Sequence, residues 1–124
     1  MIGEIRKILT PYYDNKTNRK GIKSRPGLII AQSDSKEFVA LPVSKVTSQQ
    51  WIDPEYDIKV DPAEYPMLSL NCVSYIRTHK QTVIHLAEIG DKISDMKSNC
   101  EDLYLEALTK LALFNEEIMN QAMQ

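Results

Sequence analysis

Gly27-Leu28-Ile29-Ile30-Ala31-Gln32, Ser33-Asp34-Ser35-Lys36 and Glu37-Phe38-Val39-Ala40-Leu41-Pro42-Val43 run consecutively, and the reading of this stretch decides the fold. Two runs rich in branched and aromatic residues flank four polar residues of turn-forming type, which predicts a β-hairpin. Upstream, Glu4 to Thr10 has strand character and is expected to stop at Pro11. From Tyr13 to Ser24 the chain is polar, with Asp14, Asn15, Asn18 and Gly21 as turn formers, and it reads as a long exposed loop. Downstream, Tyr56 to Val60, Asn71 to Thr78 and Thr82 to Glu88 are further β-like runs with no helical pattern between them.

The last quarter changes period. Leu103, Ala107, Leu108, Leu111, Phe114 and Ile118 recur every three to four residues, which places one apolar stripe on a helix. Ser98 and Glu101 have capping-box spacing just ahead of it. The expected architecture is a single domain over residues 1–124, mainly β with a C-terminal helix. A small, strongly curved sheet or barrel (about 3–90) is closed by a helix (about 99–122).

Composition narrows the function classes. With 43% hydrophobic and 26% charged residues the chain is too apolar for disorder. Its apolar runs are too short to span a bilayer and no signal-peptide pattern opens it, so a cytoplasmic location and no membrane partner are expected. Cys72 and Cys100 lack Cys-x-x-Cys spacing and read as free thiols, with no metal expected. The net charge of -2 hides a gradient: residues 1–30 carry seven Lys/Arg against two acids, residues 81–124 three against eight. Four glycines supply neither a nucleophile elbow nor a phosphate loop, so covalent hydrolysis, nucleotide chemistry and a bound cofactor are not expected.

The basic residues are grouped in a way that suits a polyanion. Lys16, Arg19, Lys20, Lys23 and Arg25 fall within ten residues, a fitting surface for an RNA backbone. Arg25 abuts Pro26 and an apolar strand, which holds its guanidinium where it can grip a phosphate. Arg77-Thr78-His79-Lys80 ends another β-like run, and alternation puts Arg77 and His79 on one face. A cation beside a group that titrates near neutrality suits phosphodiester cleavage through a ribose 2′-hydroxyl. Ser44, Thr47 and Ser48 add hydroxyls after Val43, while Trp51, Tyr12, Tyr13, Tyr56 and Tyr75 are aromatic surfaces on which bases could stack. Solvated loops, core packing and ordinary ion pairs account for such features in many proteins.

Read in order, Gly3-Glu4-Ile5, Arg25-Pro26-Gly27-Leu28-Ile29-Ile30, Leu41-Pro42-Val43-Ser44-Lys45-Val46 and Tyr75-Ile76-Arg77-Thr78 resemble the MazF/PemK toxin family, over residues 3 to about 118. The resemblance implies an SH3-like barrel of the MazF/PemK/CcdB type with a C-terminal helix, active as a homodimer. It also implies the toxin of a toxin-antitoxin system, cutting single-stranded RNA without a metal. The 2′-hydroxyl attacks in line, leaving a 2′,3′-cyclic phosphate and a 5′-hydroxyl. Arg25 matches the loop arginine on the scissile phosphate, Ser44 the position of a threonine, and Arg77 the strand arginine. His79 stands where some members carry a catalytic aspartate, and Arg19-Lys20-Gly21-Ile22 replaces the Gly-x-Glu-Gln common before the Arg-Pro. Arg25, Ser44, Arg77 and His79 are thus the expected catalytic set. Lys16, Arg19, Lys20, Lys23, Lys45, Thr47, Thr78 and Lys80 are the expected RNA contacts. The family's partner is an antitoxin whose acidic tail blocks the basic cleft; DNA is not an expected partner. Two other readings compete: a non-catalytic toxin or binding module acting on a protein, as CcdB does, and an RNA-binding regulator without chemistry.

Overall fold

The computed structural model describes residues 1–124. The elements are β1 (Glu4–Asp14), β2 (Arg19–Gln32), β3 (Glu37–Ser44), β4 (Asp57–Val60), β5 (Ser74–Arg77), β6 (Thr82–His85), β7 (Ile89–Asp95), a short helix α1 (Met96–Asn99) and the long helix α2 (Glu101–Ala122). The strands form one antiparallel sheet in the order β4-β5-β3-β2-β1-β7, with β6 also paired to β3. The outer edge of β3 is shared: Glu37–Ala40 pairs with β6, and Val43–Ser44 with β5. That division curls the sheet into a half-barrel.

The central hairpin is as the sequence predicts. Gly27 faces Pro42, Leu28 faces Leu41, and Ser33 closes the turn by donating to the Glu37 carbonyl at 2.9 Å. Both faces of this hairpin are covered. Ile5, Leu28, Leu41, Val43 and Ile76 pack with Met96, Leu103, Tyr104 and Ala107 of the helices, and a smaller cluster of Ile8, Ile29, Phe38, Ala40 and Ile84 lies apart from it. Gly27 permits this packing, because a Cβ there would meet Ile8 Cδ1 at 2.3 Å.

Four expectations are corrected. The stretch Tyr13–Ser24 is not a loop: β1 continues through Pro11 to Asp14, turns at Asn15–Asn18, and β2 already begins at Arg19. Pro11 is tolerated because β1 pairs with β7 only as far as Ile8, so beyond it β1 has one neighbour and need not donate outward. Asn18 adopts the left-handed conformation (φ 58°) that closes the turn. Strand β7 extends the sheet past residue 90; its pairing to β1 is broken by two register shifts, which blurs any alternation. Ser98 does not start α2: Asp95 caps α1 by accepting from the Ser98 amide at 3.0 Å, and α2 starts after Cys100 without a side-chain cap. The apolar stripe of α2 is buried at Leu103 and Ala107, but Ile118 lies exposed with Leu113, Met119 and Met123. No helix is long and apolar enough to cross a membrane.

Candidate active site

Two concave sites carry the residues singled out above. The first is a cleft of about 390 Å³ lined by Lys23 to Pro26 of β2, Val43 to Lys45 at the end of β3, and Leu70, Asn71, Cys72 and Ser74 at the entry to β5. Register brings these segments together. Gly27 opposite Pro42 sets Arg25 and Pro26 beside the end of β3, and Ser44 opposite Tyr75 draws in Ser74. Pro26 restricts Arg25 to extended backbone. The Arg25 guanidinium has no ion pair or hydrogen bond within the protein, and neither does the hydroxyl of Ser44, a residue only 8% exposed. Ser74 is fixed differently, donating to the Cys72 carbonyl at 3.0 Å. The cleft is therefore lined by three basic residues, Lys23, Arg25 and Lys45, and by Ser44, whose hydroxyl has no partner.

The second site is a pocket of about 430 Å³ lined by Gln50 to Pro54 and by Arg77, His79 and Lys80. Here the arginine is held through Nε and Nη2. Arg77 Nε donates to Asp57 Oδ1 at 3.1 Å, and Nη2 donates to Asp57 Oδ2 at 3.2 Å and to the Trp51 carbonyl at 2.8 Å. The Asp57 side chain is wholly buried and also accepts from the Asp53 amide at 2.8 Å. His79 Nδ1 lies 3.6 Å from Asp57 Oδ1, within ion-pair reach but beyond a hydrogen bond, and it has no other partner. Its ring stacks on Tyr56 and meets the edge of Phe114 from α2, at centroid separations of 6.1 and 6.0 Å. Burial pushes the His79 pKa below its ordinary value, against the opposing pull of Asp57.

The two sites share no lining residue. Arg25 and Ser44 come together with Lys23 and Lys45; Arg77 and His79 come together with Lys80; the four expected catalytic residues do not form one group. Lys16, Arg19 and Lys20 are exposed on the two-stranded ribbon formed by the outer halves of β1 and β2, where Lys23 Nζ sits 4.4 Å over the Tyr12 ring. Thr47 is exposed on the β3–β4 connection. Thr78 is fully buried and donates to the Tyr56 carbonyl at 2.6 Å, so its side chain is withdrawn from the RNA-contacting set. Asn71, Cys72 and Ser74 were not anticipated in the cleft. Their signal is weak in sequence, since polar residues at a strand entry usually mark a turn. Asp57 was missed too, although it faces Arg77 in the β4–β5 register. No group of three or more His, Cys, Asp or Glu side chains is placed to hold a metal.

No protein-family model and no curated protein matches the sequence. Among solved structures, the Mycobacterium tuberculosis toxin MazF-mt6 superposes with a TM-score of 0.57 and 14% identity, over 94% of this chain and 96% of that one. The fold is MazF-like. At that identity the likeness covers the path of the backbone rather than its side chains. The MazF-like backbone path is matched almost end to end.

Proposed function

We propose that this chain is the toxin of a toxin-antitoxin pair and cuts single-stranded RNA at chosen sequences, with the Arg25 cleft as its active site. One observation carries the reading: on a MazF-like frame, an unpaired arginine and the unpaired hydroxyl of a largely buried serine line one cleft with two lysines. An arginine without a partner in a three-cation cleft is poised for an anionic ligand.

In the reaction the ribose 2′-oxygen bonds to phosphorus, the bond from phosphorus to the 5′-oxygen breaks, and the 2′-proton ends on the departing oxygen. Arg25 holds two phosphate oxygens and stabilises the charge that builds on them in the transition state. Ser44 donates to a phosphate oxygen and fixes its orientation, while Lys23 and Lys45 hold the neighbouring phosphates. His79 has no part in this scheme, since it lines the other pocket among aromatic rings. The ribbon residues Lys16, Arg19 and Lys20 extend the basic surface along the RNA. The exposed apolar end of α2 supports a partner chain there, either a second copy or an antitoxin, and the basic ribbon suits an acidic antitoxin tail. The site of action is the cytoplasm.

The test is to incubate the purified chain with long single-stranded RNA in EDTA and map the new ends. Recurrent cuts with 5′-hydroxyl ends that vanish in Arg25→Ala support the reading; intact RNA at high protein concentration sinks it. A toxin aimed at a protein would stay toxic as Arg25→Ala and depend on α2 instead.

A further inference from the structure

The five aromatic side chains that could receive a base differ sharply in availability. Tyr75 is buried, Tyr56 packs edge-on against Phe114 at 5.0 Å, Tyr12 already lies under the Lys23 ammonium, and the Tyr13 hydroxyl is bonded to Asn18. Trp51 is 66% exposed, and its ring meets no other aromatic. Leaving so large an apolar surface in water is unfavourable, and tryptophan is the best of the side chains for stacking.

The backbone beneath Trp51 is fixed with unusual thoroughness for a surface connection. Its amide donates to Ser48 and its carbonyl accepts from Arg77, which is clamped in turn by Asp57. Asp57 also holds the Asp53 amide, and Asp53 caps the next turn by accepting from Glu55 and Tyr56. The indole thus stands on a rigid shelf beside a pocket edged by Lys80, on the same connection that leaves the active-site cleft at Ser44 and Lys45.

We propose that Trp51 is a stacking platform for one unpaired base of the RNA, that Lys80 holds the adjoining phosphate, and that Arg77 and Asp57 are positioning residues that preorganise the platform. This inference rests on the nuclease reading above. It assigns the second pocket to recognition rather than chemistry, and preorganisation is what lets a single ring bind without first paying for the ordering of its loop.

Trp51 is the chain's only tryptophan, so its fluorescence reports the site directly. The probe is a single-stranded oligoribonucleotide with 2′-O-methyl sugars, which cannot be cut, carrying an end label for anisotropy. Tryptophan emission should be quenched along the same saturation curve as the anisotropy. Trp51→Ala should weaken binding of this probe about tenfold, with Trp51→Phe recovering most of it. On cleavable RNA the loss should fall on KM rather than kcat. Arg77→Lys, which keeps the charge but loses the fork, should show the same KM loss in smaller degree. Unchanged emission while the labelled probe binds, or equal affinity of Trp51→Ala, overturns the inference while leaving the nuclease standing. So does a shift of Trp51→Ala from dimer to monomer in sedimentation, which would make the ring a protein contact. Wild-type chain that neither binds the probe nor cuts RNA overturns both readings.

Discussion

Arg25 and Arg77 are each held by a β-strand at the mouth of a concave site, and each follows aliphatic or basic neighbours that make it conspicuous in the sequence. Their surroundings differ in one respect that decides what they can do. Arg25 has no protein partner, whereas Arg77 has spent its fork on Asp57 and the Trp51 carbonyl. A guanidinium already neutralised by a buried carboxylate offers little to an incoming phosphate, and removing it would leave the buried Asp57 carboxylate without its counter-charge. On the proposed function, catalytic capacity lies in the unsatisfied groups, and the satisfied ones hold the fold.

The sharpest way to break this contrast is to exchange the expected losses. Arg25→Ala should lower kcat for RNA cleavage by about 100- to 1000-fold, the usual effect of removing one preorganised transition-state donor, while the melting temperature stays within a degree or two. Asp57→Ala should do the reverse and cost about 3 kcal/mol of stability, because it strands Arg77 and frees the Asp53 amide; urea denaturation measures this. If Arg25→Ala melted early and cut normally, the assignment of the two arginines would be inverted. Ser44→Ala comes next, with about a tenfold fall in kcat, the scale of a single hydrogen bond to a charged group, and Ser44→Thr should retain most of the activity.

The contrast also shows where sequence reasoning had purchase. The hairpin Gly27–Val43 was legible because both runs are strongly β-forming and the intervening residues suit only a turn. The amphipathic α2 was legible from its period, although its uncovered end was not, since a stripe shows which side is apolar and not what lies against it. The ribbon was misread as a loop because Pro11 and a run of polar residues outweighed the weak alternation of Tyr13, Lys20 and Ile22, and a two-stranded ribbon with both faces in solvent has no buried side to impose a pattern. In the site, Arg25, Ser44, Arg77 and His79 were anticipated as one set, and the register of the central hairpin brings only the first two into one cleft. The Asp57–Arg77 pair was not, because nothing local to either residue announces a partner twenty positions away. That one carboxylate, with the Trp51 carbonyl, holds the arginine that the sequence offered for catalysis.

His79 gives the smallest and most discriminating test of the comparison. Its pKa is lowered because burial among Tyr56, Phe114 and the surrounding pocket disfavours the imidazolium, and the nearby Asp57 carboxylate only partly offsets this while Arg77 opposes it. Between the depressed folded value and the ordinary value of 6.5, the unfolded chain carries a proton that the folded chain does not. Folding stability from this residue is therefore complete above pH 6.5 and is lost as the pH falls toward the folded pKa. His79→Phe replaces the ring with another aromatic that cannot titrate, so the difference in stability between variant and wild type should shift in the variant's favour on acidification below that point and be independent of pH above it. Cleavage should persist, with the pH–rate profile keeping its shape, because no proton in the proposed reaction passes through the imidazole. Loss of the acidic or basic limb of that profile in His79→Phe would return the histidine to the chemistry and require the two sites to act as one.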